Sequence, residues 1–183
     1  MFIQTEETPN PATMKFLPGR EVMGQGTLEI TDARTATASP LAENLFLIEG
    51  IQGVFFGRDF ITVTKAAGKE WQVLKPAILT AIMEHFTNNR PLISSMSEAP
   101  AIADADENEI IKQIREILDV KVRPAVAQDG GDITFQSFED GVVYLNLKGS
   151  CAGCPSSTAT LKAGIENMLK HYIPEVKEVR QTR

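Results

Sequence analysis

Cysteine is nearly missing from this chain: two in 183 residues, Cys151 and Cys154. So few exclude a disulfide scaffold. The chain also opens without the basic, apolar, small-residue succession of a secretory signal, so a reducing interior compartment is expected. No apolar run approaches the ~20 residues of a membrane helix, and no membrane association is expected. Positive charge is in the minority, with a formal net charge of −6 and no cluster of Lys or Arg. That excludes binding to nucleic acid through its phosphate backbone and points to proteins as partners. What is present is an ordinary hydrophobic content of 43%, enough to build a core in one medium domain or two small ones.

The stretch TNNRPLISSMSEAPAIADADEN, residues 87–108, has two prolines, several serines and no sustained apolar period. It reads as a flexible linker between a cysteine-free half, residues 1–86, and a cysteine-bearing half, residues 109–183. In the first half MFIQTEET and TMKFLP read as strands about the turn Thr8-Pro9-Asn10-Pro11. Ser39-Pro40 opens a helix with Leu41, Leu45 and Ile48 on one face, ended by Gly50 or Gly53. GVFFGRDFITVTK reads as a hairpin, and Leu74, Ile78, Ile82 and Phe86 recur at helical spacing. Pro76 is comfortable only in a first helical turn, so that helix should start at it or close before it, with Trp71 packed underneath. The phenylalanines at 46, 55, 56, 60 and 86 are read as core.

In the second half Ile110, Ile114, Ile117 and Leu118 form an apolar stripe behind Asp104, Asp106 and Glu107, and this helix should stop near Arg123-Pro124. GDITFQSFEDGVVYLNLKG alternates on either side of Glu139-Asp140-Gly141, a hairpin signal. From Pro155 a second helix presents Leu161, Ile165, Met168 and Leu169, and EVKEVRQ supplies a last strand. The expected class is α+β: two small domains, each a short, mainly antiparallel sheet packed with helices. His85 and His171 fall at helix ends, where the helix dipole is sufficient reason for them.

The two cysteines lie three positions apart in GSCAGCPSS, residues 149–157, between a hairpin strand and a helix start. Helix-start N–H groups carry partial positive charge and favour thiolate, the metal-binding form. Gly149 and Gly153 leave room for a bulky ligand, and Pro155 suits the first helical position. Ser150, Ser156 and Ser157 are read as helix caps, with donation to sulfur as the alternative. Asp129 and Asp132 flank two glycines in a turn, and are read as structural unless that turn folds back on the cysteines. By spacing alone three readings stand: metal or cluster binding, dithiol–disulfide oxidoreduction, and cysteines with no special role; a zinc-stapled dimer with a structural role is a further alternative. Zinc and the common iron–sulfur clusters want four protein ligands, and one chain offers two thiols. Two chains meeting at a two-fold axis would supply four.

At these residues a family resemblance enters. DGGDI at 129–133 followed by GSCAGCPSS at 149–157 resembles the C-terminal NifU domain of the Nfu iron–sulfur carriers. ETPNP at 7–11, MKF at 14–16 and WQVLKP at 71–76 resemble the cysteine-free N-terminal domain of the same proteins. The resemblance implies a [4Fe–4S] cluster held by Cys151 and Cys154 of each subunit of a homodimer, with a [2Fe–2S] form and zinc as alternatives. It further implies supply by upstream assembly proteins or assembly on the protein itself, and transfer to client apo-proteins. This is carriage, with no catalytic residue and no enzymatic turnover. The expected location is the bacterial cytoplasm, with a mature mitochondrial matrix form as the alternative.

Overall fold

The computed structural model describes residues 2–94, 108–152 and 155–182, with only the backbone for 155–158. The chain divides into two units, Met1–Ser97 and Glu98–Arg183, each α+β and each with its own apolar core.

In the first unit β1 (Gln4–Glu7) and β2 (Thr13–Leu17) turn about Asn10, whose carbonyl accepts from the Thr13 N–H at 2.9 Å. Next come β3 (Leu28–Ile30), a 3₁₀ turn over Ala33–Ala38, and α1 (Pro40–Phe46). Ser39 caps α1 through its hydroxyl, which accepts from the Ala42 N–H, and Pro40 occupies the first helical position. β4 (Ile51–Phe56) and β5 (Ile61–Lys65) form the expected hairpin. The sheet order is β1-β2-β5-β4-β3, antiparallel throughout. Phe16, Val54, Phe56, Ile61 and Val63 meet Leu41 and Leu45 of α1 and Leu74, Ile78 and Ile82 of α2 (Trp71–Thr87). Phe55 and Phe60 are buried but stand outside this cluster. Their rings pack 5.9 Å apart, and Lys15 Nζ lies 4.9 Å from the Phe60 ring while pairing with Glu6.

Two expectations change here. Pro76 sits in the second turn of α2, because the helix begins at Trp71, whose indole N–H donates to the Pro11 carbonyl at 3.1 Å. The N–H that proline lacks would have met the carbonyl of exposed Gln72, which water can satisfy. And the first residues of the expected linker belong to this unit: Leu92 and Ile93 pack on its core, and the Ser94 N–H donates to the Ala38 carbonyl. Residues 95–107, the rest of that stretch but for Asn108, lie outside the described residues together with Asp104, Asp106 and Glu107.

The second unit opens with α3 (Glu109–Ile117), capped by the Asn108 side chain on the Ile110 N–H. The helix does not stop at Arg123-Pro124. It passes through a π-helical turn, Leu118–Val122, into α4 (Arg123–Gln128). Pro124 cannot donate to the Val120 carbonyl, and the widened turn accommodates it while the Arg123 N–H reaches back five residues to Leu118. β6 (Gly131–Glu139) and β7 (Val142–Gly149) follow, joined at Asp140 and Gly141, both at positive φ (51° and 86°) as a two-residue hairpin of type I′ requires. α5 (Pro155–Tyr172) then returns the chain so that β8 (Glu178–Thr182) pairs parallel with β7. Glu166 of α5 fixes that strand, accepting from the Val179 N–H at 3.0 Å and from Lys170 at 2.6 Å. The core joins Ile114, Leu118, Val122 and Val126 of the first helical run to Ile133, Val143, Leu145 and Leu147 of the hairpin. Ile165 and Leu169 of α5 close it.

Candidate functional site

The β6–β7 ladder ends with the pair Gly131↔Gly149, and the cysteine segment leaves the sheet there. Gly149 has φ +65°, a left-handed conformation that turns the chain back toward the start of β6. At the same end of the hairpin, before β6, α4 finishes with Asp129 and with Gly130 at φ +79°, whose N–H groups donate to the Val126 and Ala127 carbonyls. The two turns meet. The Ser150 N–H donates to the Gly130 carbonyl at 3.2 Å, and the Ser150 hydroxyl donates to the Asp129 carbonyl. Ser150 is therefore a tie between two turns, in a position where the sequence suggested a helix cap.

Cys151 comes to rest against the same turn, only 7% exposed. A Cβ placed on Gly131 would lie 2.5 Å from its Sγ and 2.9 Å from the Lys148 carbonyl oxygen, so the sulfur fills the space that glycine leaves. One residue on, Asp132 is 4% exposed and holds the turn from beneath. Its two carboxylate oxygens accept from Arg123 Nε at 2.8 Å and Nη2 at 3.0 Å, while Arg123 Nη1 donates to Asp119 at 3.1 Å. This fork joins the start of α4 to the start of β6 and holds the Arg123 guanidinium firmly protonated.

The electrostatics of Cys151 correct the sequence reading. A helix start was expected to favour thiolate, yet burial pushes this thiol up to about 11, and the carboxylates of Asp129 and Asp132 add to the shift. Hydrogen bonding from Ser150 opposes them and is outweighed. In this arrangement Cys151 is a sheathed neutral thiol. Cys154 lies outside the described residues, as do the side chains of Ser156 and Ser157. Among the described residues no three His, Cys, Asp or Glu side chains come together as a metal shell.

The turn DGGD thus folds back on Cys151, the condition under which Asp129 and Asp132 were expected to matter to it. Arg123 and Gly131 were not singled out as supports, and of the two readings of Ser150 it is donation to sulfur, not helix capping, that agrees with its hydrogen bond to Cys151. His85 departs from its expected role: it ends α2 but is 1% exposed, and neither ring nitrogen has a hydrogen-bond partner among the described residues. Burial lowers its pKa, with Arg90 adding to the effect, so it is a neutral core residue and no charged cap. His171 does lie exposed in the last turn of α5, edge-on to Tyr172. No described helix is long and apolar enough to cross a membrane.

Comparison with known proteins follows the division into two units. Residues 3–89 match the family described as scaffold protein Nfu/NifU N terminal, and residues 114–180 match the NifU-like domain. The chain is 49% identical over 186 residues to the NFU1 iron-sulfur cluster scaffold homolog, mitochondrial, of Drosophila sechellia, covering 99% of this chain and 65% of that one. Against the protein of the same name from Homo sapiens it is 48% identical over 182 residues, covering 99% of this chain and 72% of the human one. The chain thus spans about two thirds of the length of these relatives. A solution NMR structure of a NifU-like protein from Saccharomyces cerevisiae superposes with a TM-score of 0.47 at 28% identity, covering 52% of this chain and 86% of that one. With relatives of this identity matching nearly its full length, and both domain families present in order, the chain belongs to the NFU1 iron–sulfur cluster scaffold family.

Proposed function

We propose that this protein carries an iron–sulfur cluster as cargo, bound by Cys151 and Cys154 of each of two copies, and hands it to client apo-proteins. The observation that carries the reading is the NifU-like match over residues 114–180, which contains both cysteines. A cluster with four cysteine ligands needs twice the thiols one chain owns, which favours a homodimer with the cluster at its axis. The cargo is a [4Fe–4S] cluster, received from upstream assembly proteins or built in place. A site at an interface is exposed and separable, as transfer by thiolate exchange requires, and no catalytic turnover is involved.

The division of labour follows the two units. Residues 109–183 hold the cargo, the stretch after Ser94 links, and residues 1–86, with the residues through Ser94 that pack on them, dock clients. The bacterial cytoplasm and the mitochondrial matrix are both reducing interiors, and the relatives' mitochondrial names agree with the second.

Anaerobic reconstitution with ferrous iron and sulfide tests the reading. The expected result is a brown protein whose colour is lost in Cys151→Ser and in Cys154→Ser. A colourless protein that reduces disulfides efficiently would replace it with dithiol chemistry, and a chelator-resistant zinc dimer that never takes iron would replace it with a structural role. Removing residues 1–86 is expected to weaken delivery to selected clients and leave cluster binding intact.

A further inference from the structure

β1 is an outer strand of the first sheet, paired on one side only, with β2. The register shows which of its backbone groups are spare. The Lys65 N–H donates to the Ala12 carbonyl, so in the same alternation Met14 and Phe16 bond to β5, while Lys15 and Leu17 turn to Glu6 and Gln4 of β1. The N–H and C=O groups of Ile3, Thr5 and Glu7 therefore point away from the sheet. Among the described residues no backbone group bonds them on that side. Edges of this kind are commonly blunted by lysine, proline or a bulge, and β1 has none of the three.

The side chains along this edge differ from end to end. Glu6 and Glu7 lie together at one end, where Lys15, the residue paired with Glu6, has a side chain only 9% exposed. At the other end Phe2 is 86% exposed and Ile3 packs at the margin of the core. We propose that this edge receives an extended segment of a client protein as an added antiparallel strand, with lysine or arginine opposite Glu6 and Glu7 and an apolar residue opposite Ile3. The antiparallel sense continues that of every pairing in the sheet. A second copy fits less well. Two β1 strands paired about Thr5 would set Glu7 of each against Ile3 of the other, a carboxylate against an apolar side chain. The inference rests on the client-docking role proposed for the first unit, and supplies the chemistry by which a client segment is chosen.

The probe is a short fluorescent peptide with two lysines followed by threonine, glutamine and valine, titrated with the full chain by anisotropy. Binding should protect the Thr5 and Glu7 amides from hydrogen exchange. Methylating the peptide nitrogens that face β1 should abolish binding, and methylating the alternate ones should leave it intact. Thr5→Pro removes an outward N–H without breaking the ladder to β2, so the tryptophan-detected melt should hold while affinity falls at least about fivefold. Glu7→Lys should weaken the basic peptide about two- to fivefold and strengthen one with glutamates in place of its lysines. A basic peptide that does not bind, or binds regardless of methyl position and of Thr5→Pro, would overturn the added strand. Protection of Thr5 that rises with protein concentration and needs no peptide would overturn it in favour of a second copy. None of these readings uses iron or a client. Peptide binding with delivery unchanged after removal of residues 1–86 leaves the edge standing and refutes the docking role, whereas weakened delivery with no peptide binding does the reverse.

Discussion

Asp132→Asn isolates the support beneath the cysteine turn. The asparagine keeps the shape of the aspartate but removes the charge and turns an N–H group toward Arg123, which offers only donors. The Asp132 side chain is 5% exposed, so its partner's loss falls on groups mostly out of water. Removing one member of a buried ion pair costs about 3–5 kcal/mol. Arg123 is 36% exposed and keeps its bond to Asp119, which lowers the expected cost to about 2–3 kcal/mol. In a unit of this size each kcal/mol moves Tm by about 4–8 °C, so a fall of about 10–20 °C is expected. The two tyrosines, Tyr144 and Tyr172, belong to the second unit and the single tryptophan, Trp71, to the first, so near-ultraviolet circular dichroism separates the transitions. The tyrosine transition should fall and the tryptophan transition should hold. In a double-mutant cycle with Arg123→Met most of the loss should appear as coupling between the two residues. A tyrosine transition within about 2 °C of the parent would refute the view that this ion pair holds the turn.

Three further outcomes are expected. The Cys151 thiol is raised from 9.0 to about 11 by burial, so its contribution to stability is complete below about pH 9 and is lost as pH rises through about 11. Urea melts of the second unit should show that loss, and Cys151→Ala should flatten it. The His85 pKa is lowered from 6.5 by burial, so the neutral ring's contribution to the first unit is present above that value and disappears as pH falls below it. His85→Leu should then make the tryptophan-detected Tm less sensitive to acid, and an unchanged acid slope would show that His85 does not set it. Gly57 abuts the Phe60 ring so closely that a Cβ cannot fit. Gly57→Ala should lower the stability of the first unit by about 1–3 kcal/mol in urea melts, and a change near zero would mean that Phe60 has no fixed seat over Lys15 and Phe55.

Much of the fold was legible because its signals are local. Asp140-Gly141 between alternating strands, Ser39-Pro40 before an apolar face and the spacing from Leu161 to Leu169 each carry their meaning within a few residues. The misreadings came from the same local rules applied without their surroundings. Pro124 reads as a stop, yet a π-helical turn absorbs it. Pro76 reads as a first-turn residue, yet the Trp71 bond to Pro11, sixty positions away, helps place the helix start earlier. β3 and the 3₁₀ turn after it are too short to show any period. The cysteine motif was found by spacing, but the burial of Cys151 depends on Asp129 and Ser150, which are twenty-one positions apart and joined only when the hairpin closes. A helix start beside a cysteine argues for thiolate, and the opposite result at Cys151 follows from what the fold brings against it.

The central claim is that two copies share one cluster through their cysteines. Native mass spectrometry on the anaerobically loaded chain tests it most directly, since it reads chain count, iron and sulfide in one particle. The account predicts two chains with about two irons and two sulfides per chain, and loss of both dimer and inorganic mass in Cys151→Ser. A single chain retaining a whole cluster, or a Cys151→Ser protein loaded like its parent, would contradict it.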